Sequence, residues 1–209
     1  MISINIEESD RQIYKKVNQA MADHINEKVR SKSRALISKL KTVISVWVKT
    51  QPEIVSLLQE GVPQSLNAQF GLPPGSANKA VDQIVNAVVD STQVKISKVD
   101  RKLSGTIEFN FQPSTFANLL SLSSGVNTTE EGSKLNWLSW LLVEGDKIII
   151  VGYRYQPSEK GRAGGGNMVR GGAFRVSPQF SGTLDNNFIT RAFRGRNSEI
   201  TRLISGIFK

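Results

Sequence analysis

The sequence predicts an α+β fold: a helical N-terminal half, a small and mostly antiparallel sheet with a long Gly/Arg-rich loop, and closing C-terminal helices. Apolar residues recur at the helical period of about 3.6 as far as residue 91, and they alternate as in a strand after it. Six glycines then interrupt the strand pattern between Gly161 and Gly172. We therefore expect residues 1–91 to be a helical region, and residues 92–209 an α+β region that completes the same single domain.

The N-terminal half predicts a series of helices. Ser9–Asp10 can cap the first, which continues as one long helix or as two helices joined near Ser31–Ser33. Pro52 begins a short helix that Gly61 ends, as expected from the preference for proline at the first helical position and glycine after the last. Ser76 is predicted to cap a further helix with a buried stripe that consists of Val81, Ile84, Val85, Val88 and Val89.

The middle of the chain predicts strands. The segments TQVKIS and GTIEFNF alternate apolar and polar residues on either side of a turn near Asp100–Lys102, which indicates an antiparallel hairpin with one buried face. Ser114 is predicted to cap a small helix. The run 123–133 has no apolar period, so we expect an exposed loop there. The apolar run around Trp137–Leu142 then predicts a helix before a turn at Glu144–Asp146.

The C-terminal part predicts a buried strand at Lys147–Tyr155, a short strand at Ala173–Val176 and a helix beginning near Asn186. Since glycine loses the most entropy on ordering, we expect the loop Gly161–Gly172 either to be mobile or to project from the sheet and be held by something outside the fold. Ser198 is predicted to cap a last helix, whose apolar stripe consists of Ile200, Leu203, Ile204, Ile207 and Phe208.

No pattern for catalysis, metal binding or cofactor binding emerges. The chain has no cysteine and one histidine, so it lacks the ligands of an ordinary zinc site. We expect His24 to be a surface or packing residue, and Glu130–Glu131 to be loop residues. The glycine-rich loop lacks the Lys-Ser or Lys-Thr of a phosphate-binding loop. We therefore predict that the protein is not an enzyme and has no cofactor and no metal.

The charge is unevenly distributed. Residues 1–50 carry +5, residues 51–149 carry −3 and residues 150–209 carry +7, within a net charge of +9. This pattern indicates either two surfaces with different partners or charge that only keeps the protein soluble. Lys160, Arg162 and Arg170 are candidate DNA-facing residues, without any motif for sequence-specific recognition. No segment approaches the roughly 18 apolar residues of a membrane span, so we expect no membrane partner.

The C-terminal run GGAFRV, FSGT and NNFITRAF, followed by an amphipathic helix, resembles small morphogenesis proteins of tailed bacteriophages. These are the neck or head–tail connector proteins, the tail-completion proteins and the minor tail proteins of lambdoid phages. In them a strand and loop lead to a Gly-Thr or Gly-Ala turn and then to a helix. Here Gly182–Thr183 and Phe188–Phe193 match that pattern, and the resemblance covers residues 145–209.

The resemblance implies a virion structural protein at the junction of neck and tail, assembled in the host cytoplasm. Such a subunit joins portal and tail as a ring of six or twelve copies, with portal or adaptor and tail proteins as partners. Genomic DNA would make transient, non-specific contact with it. The alternative is a non-sequence-specific DNA-binding accessory protein.

The resemblance also implies where subunits or rings would contact each other. Arg191 is expected to pair with carboxylates at these contacts, because its planar guanidinium binds carboxylates through two hydrogen bonds. The predicted contact residues are Arg162, Gly164, Gly165, Gly166, Met168, Arg170, Phe174, Arg175, Phe188, Arg191 and Phe193.

Overall fold

The computed structural model of the chain describes residues 8–113, 115–129 and 132–208. It has a mixed α and β fold, with a long N-terminal helix, small antiparallel sheets and C-terminal helices, which confirms the predicted fold class. The predicted helix cap Ser114 and the predicted loop residues Glu130 and Glu131 lie outside the described residues.

Helices make up most of the regular structure. The described residues contain α1 Asp10–Lys49, α2 Pro52–Leu58, α3 Leu66–Gln69, α4 Ser76–Ser91, α5 Ala117–Leu120, α6 Trp137–Leu142, α7 Phe188–Phe193 and α8 Asn197–Phe208. The first is one continuous helix, because the hydroxyls of Ser31 and Ser33 donate to carbonyls of the preceding turn and do not interrupt it.

Two predicted N-caps lie inside their helices. The N-cap of α4 is Gly75, with φ of +75°, and Ser76 is the first helical residue. Its hydroxyl donates to the carbonyl of Pro73. Ser198 is likewise inside α8, which begins at Asn197. The proline and glycine before α4 form a turn that already ends at a left-handed glycine, so no serine cap is needed there.

The strands form three antiparallel pairs. These are β1 Gln93–Ile96 with β2 Ile107–Asn110, β3 Asn127–Thr128 with β4 Lys134–Leu135, and β5 Ile150–Pro157 with β6 Gly166–Phe174. The first pair is the predicted hairpin. Val94 lies opposite Phe109 and Ile96 opposite Ile107, and these four apolar side chains are half-buried while their neighbours are exposed.

The predicted exposed loop at 123–133 is wrong, because it contains a 3₁₀ turn at Ser123–Gly125 and the strand β3. Gly125 is buried against Leu138, so close that an added Cβ would lie 2.9 Å from that side chain. The side-chain amide of Asn127 donates to the carbonyls of Phe70 and Gly71 at 2.8 and 3.0 Å. Tertiary contacts therefore order a segment that has no apolar period of its own.

Contacts divide the chain into two compact units. The first consists of Met1–Leu40, Gln93–Asn110 and Asn197–Lys209, so far as these segments are described, and the second of Lys41–Thr92 and Phe111–Arg196. In the first unit, Asn26 holds the β1–β2 turn with two hydrogen bonds to the backbone of Val99, at 2.8 and 3.0 Å.

The second unit contains the larger core. Its central aromatic pair is Phe70 and Trp137, whose ring centroids lie 5.7 Å apart. Aliphatic residues of α2, α3, α4 and α6 in the same unit are also almost wholly removed from water. The described side chains of this core include Ile54, Leu57, Leu66, Ile84, Leu119, Leu138 and Phe188.

Candidate functional site

The glycine-rich segment is an antiparallel ribbon of β5 and β6, and the predicted single loop at Gly161–Gly172 is wrong. Tyr153 lies opposite Arg170, and Tyr155 opposite Met168. β6 begins at Gly166, well before the predicted strand Ala173–Val176. Low strand propensity hides this strand from sequence patterns, and pairing with β5 overrides that propensity.

Glycines allow an irregular step in the middle of the ribbon. The register shifts between Val151 and Tyr153. At this level Gly152, Gly171 and Gly172 have φ of +85°, +96° and +86°. Residues with a side chain rarely adopt such φ angles, so these glycines are needed for the bulge.

The connection between the two strands does not project. It packs against the segment between α2 and α3 within the second unit, where the amide of Gly61 donates to the carbonyl of Ala163 at 3.1 Å. The hydroxyl of Tyr155 donates to the carbonyl of Gly165 at 2.7 Å. Gly165 is buried, and an added Cβ would lie 2.5 Å from the Cβ of Ala68 and 2.7 Å from the carbonyl oxygen of Val62.

We predict that Gly165→Ala lowers the free energy of unfolding by about 2 kcal/mol, because the new methyl group overlaps backbone that cannot move aside freely. Urea unfolding measures this. Gly206→Ala is the control, since an added Cβ meets nothing within 4 Å there. In the interior of α8 it should stabilise by about 0.5–1 kcal/mol. Equal stability of Gly165→Ala and the wild type would contradict the packed connection.

Arg162 is committed to the chain's own backbone. Its Nε donates to the carbonyl of Gly71 at 2.8 Å, and its Nη1 donates to the carbonyl of Thr128 at 3.3 Å. These bonds tie the ribbon connection to the segment after α3 and to β3. The structure therefore gives Arg162 a tethering role, and because the residue is exposed, its predicted DNA-facing role stays a prediction.

The other predicted basic and turn residues are more accessible. Lys160 and Arg170 are exposed, and neither side chain has a hydrogen bond or ion pair within the described chain. Arg175 lies 3.7 Å from Asp146, and both side chains are more than half exposed. Such a surface pair contributes little to stability. Gly164 is half-buried in the turn that its amide closes on the carbonyl of Gly161, at 3.0 Å.

Several predicted contact residues serve the chain's own interior. Phe174 and Phe188 are buried, with 3% and 0% exposure. Gly166 is buried too, and its missing side chain leaves room for the Tyr155 ring. A side chain enclosed by its own chain offers no surface to a neighbouring subunit, so these predicted contacts are wrong. Met168 is half-buried on the ribbon.

Arg191 pairs with a carboxylate, but within the same chain. Its Nη2 donates to Oε1 of Glu53, which links α7 to α2, and its Nη1 donates to Asn186 at 3.2 Å. Glu53 is 1% exposed, and its Oε2 has no hydrogen-bond partner. Burial raises the pKa of the Glu53 carboxyl above its ordinary value of 4.5, while its own backbone amide and Arg191 offset part of the rise.

This raised pKa has a consequence for stability. The folded state binds the Glu53 proton more tightly than the unfolded state, so its contribution is full below about pH 4.5 and falls as pH rises through the folded pKa. Glu53→Gln keeps the shape and removes the titration. We predict that the unfolding free energy of the wild type, relative to Glu53→Gln, falls between about pH 4 and pH 7. Urea unfolding at both pH values tests this, and the opposite slope would contradict it.

Phe193 belongs to an aromatic cluster of the second unit. Its ring stacks on Phe111, with centroids 4.7 Å apart, and meets the edge of Trp47 at 6.1 Å. The guanidinium of Arg196 lies 5.2 Å from the Trp47 ring centroid, in cation–π geometry. Phe193 is half-buried, so its predicted subunit contact stays open.

An open groove of about 400 Å³ lies beside the ribbon in the second unit. We call it the arginine groove. Arg154 and Arg175 line it, with Gln64 before α3, Gln69 at the end of α3, and residues 177–180. No aspartate or glutamate is among the described residues that line it. Gln64 has φ of +66°, an uncommon backbone conformation that is found often at binding sites.

Sequence reasoning missed Glu53, Trp47, Gln64 and Arg154 as parts of these clusters. Glu53 looks like an ordinary acidic residue in the first turn of a helix, and only its partner far along the chain marks it. Arg154 had a signal, because it sits in a basic and aromatic run, but nothing in that run shows which arginines remain unpaired.

No group of three or more histidine, cysteine, aspartate or glutamate residues in the described chain is placed to hold a metal ion. None of its described helices is long and apolar enough to cross a membrane. Comparisons with protein-family models, curated proteins and solved structures find no match to this chain.

Proposed function

We propose that this chain is a virion structural protein of a tailed phage, a ring-forming subunit at the neck that joins portal and tail. The observation that carries the proposal is the β5–β6 ribbon. Its strands of eight and nine residues pair with each other and, within the described chain, with no further strand. Two strands alone are marginally stable in water, so their open edges favour pairing with a neighbouring molecule.

The side chains of the ribbon support an assembly role. Val151 is 80% exposed, although valine is a residue that strands usually bury. Arg154 and Arg170 are exposed and have no ion pair within the described chain. The register puts Arg154 and Arg170 on opposite faces of the ribbon, because Arg170 lies opposite Tyr153. An exposed valine suits a surface that another protein covers.

The distribution of charge suits head-to-tail packing. Helix α1 contains ten lysines and arginines against three acidic residues, whereas α2 to α4 with their connections contain four acidic residues and one lysine. A closed ring with rotational symmetry needs two different and complementary surfaces on each subunit. Helix α1 can supply a basic one; of the acidic residues in α2 to α4, Glu53 is buried, and Asp82 and Asp90 pair with Lys49 and Lys41 of α1.

The resemblance of residues 145–209 to neck and tail-completion proteins supplies the setting. The ribbon, which is the longest of the three described strand pairs, lies within this stretch. We infer that the partners are further copies of the chain, a portal or adaptor protein and a tail protein.

A second candidate is a non-sequence-specific DNA-binding accessory protein, which is favoured by the unpaired cations Lys160 and Arg170. A ring through which DNA slides should bind duplexes weakly, with Kd of about 10⁻⁴ to 10⁻⁶ M at physiological salt and without sequence preference. Titration of labelled duplexes at two salt concentrations measures this. Much tighter binding by a small species would favour the second candidate.

Val151→Lys tests the ribbon as an assembly surface. We predict that this variant keeps its melting temperature, because residue 151 is exposed, and that it loses the ring in sedimentation velocity, because the new charge would be buried at the contact. Leu184→Lys is the matched control, since Leu184 is 53% exposed and lies outside the ribbon. Equal assembly of Val151→Lys and the wild type would show that the ribbon is not the contact.

A further inference from the structure

We propose that the arginine groove binds an extended acidic peptide segment of a neighbouring protein. The inference deepens the proposed function. It rests on that function only for the source of the peptide segment, which is another protein of the neck. It depends on the shape of the groove, on its two guanidinium groups, of which Arg154 is unpaired within the described chain and Arg175 has one exposed ion pair, and on the amide side chains around it.

The electrostatics of the groove favour an anion. Arg154 has no ion pair within the described chain. Arg175 has only the exposed contact to Asp146 at 3.7 Å, and Asp146 does not line the groove. Since no described carboxylate lines the groove, both guanidinium groups are available for a carboxylate of a ligand. Arginine binds carboxylates through two parallel hydrogen bonds.

The uncharged lining favours a peptide over a nucleic acid. Three glutamines line the groove, Gln64, Gln69 and Gln179, and each amide has both a donor and an acceptor group. A peptide backbone has N–H donors and C=O acceptors for these amides, whereas a phosphodiester backbone has acceptors only. Pro178 and Phe180 add apolar surface for side chains between the acidic ones. Two cations would neutralise only two phosphates, which gives weak binding to DNA.

The size of the groove is also suitable. Its volume of about 400 Å³ lies within the range of about 300–1,000 Å³ that is typical of ligand sites. Gln64 is held in its uncommon conformation by its neighbours, because its backbone amide donates to the Tyr155 hydroxyl at 3.4 Å and its carbonyl accepts from the side chain of Gln69 at 2.6 Å. This wall is therefore formed before any ligand arrives, which lowers the cost of binding.

The test uses three fluorescein-labelled probes with the full chain: a hexapeptide of alternating glutamate and valine, the same peptide with glutamine for glutamate, and a six-nucleotide single-stranded DNA. Fluorescence anisotropy gives each Kd. We expect the acidic peptide to bind best. We expect Arg154→Glu with Arg175→Glu to weaken that binding by about tenfold or more, because each loses a charge-assisted hydrogen bond.

Two Arg→Glu changes elsewhere on the surface, Arg194→Glu with Arg202→Glu, are the matched control, since both side chains are exposed and neither lines the groove. They should change Kd by no more than about twofold, the size of a screened long-range effect. If the variant with both groove arginines changed to glutamate has a lower Tm than the wild type, Arg154→Gln with Arg175→Gln repeats the test. This variant removes the two positive charges without adding negative ones. No saturable binding of the acidic peptide, tighter binding of the DNA, or an equal loss in the control would overturn the inference.

The outcome is separate from that of the proposed function. Peptide binding by a protein that never assembles would keep the groove assignment and remove the ring. A ring-forming protein that does not bind the peptide would do the reverse.

Discussion

Asn187→Ala is expected to lower the free energy of unfolding by about 3 kcal/mol, because the buried amide serves both a helix end and the chain next to it. The Oδ1 atom accepts from the backbone amides of Ile189 and Thr190, both at 3.0 Å. The Nδ2 atom donates to the carbonyls of Leu142 at 3.2 Å and Thr183 at 2.8 Å. Asn187 is 0% exposed, so alanine leaves these groups without water to replace the lost bonds.

Thermal unfolding measures this loss, which corresponds to a decrease in Tm of about 10 °C for a chain of this size. Asn186→Ala is the matched control, because Asn186 is exposed and its side chain accepts one bond, from Arg191 at 3.2 Å. It should cost about 0.5 kcal/mol or less. Similar Tm values for the two variants would contradict the capping role of Asn187.

Gly182→Ala is expected to have a comparably large effect, about 3 kcal/mol or more, because backbone meets backbone there. An added Cβ would overlap the carbonyl oxygen of Leu141. The amide of Gly182 donates to the carbonyl of Trp140 at 2.9 Å, and its own carbonyl accepts from Gly145 at 2.8 Å. To relieve the overlap the chain would have to break these bonds.

Urea unfolding of Gly182→Ala should show a lower midpoint with an unchanged m-value. Ser181→Ala is the control, because its half-exposed hydroxyl makes one bond, to the carbonyl of Pro178 at 3.1 Å. A loss of about 1 kcal/mol or less is expected for it. If Gly182→Ala were no less stable than Ser181→Ala, the close approach at Leu141 would be wrong.

Much of the helical part could be predicted from the sequence, because its signals are local. Alternation in residues 93–96 and 107–110 gave the hairpin, and the stripe from Val81 to Val88 gave α4. The extra buried positions Ala77 and Ala80 are too small to stand out in an apolar pattern. The predicted caps Ser76 and Ser198 are the first and second residues of their helices, because turn geometry, which the sequence pattern does not show, decides where a helix begins.

The candidate site was harder to predict, because its determinants are distant in sequence. Glycines at 161–172 indicate a loop by composition, but here they form a bulge, a tight turn and a close approach to Ala68. Arg162 and Arg191 look alike in sequence. Only tertiary structure shows that one binds backbone carbonyls and the other a buried carboxylate, whereas Arg154 and Arg170 are exposed and have no ion pair within the described chain.

Some arginines are paired within the chain and others are not, and this changes the prediction about subunit contacts. Arg191 is already neutralised by Glu53, so it adds little charge to an interface. The ribbon surface around Val151 and Arg154 now carries that prediction, together with the exposed Lys160 and Arg170. A neighbour that covers this surface should have acidic residues at its contact.

Electron microscopy of the purified wild-type protein, with its mass in solution from light scattering, tests the central claim most directly. The account predicts closed rings with an open centre and the mass of six or twelve copies, because head-to-tail contacts close under rotation. A monomer at every concentration, or an open filament, would contradict it.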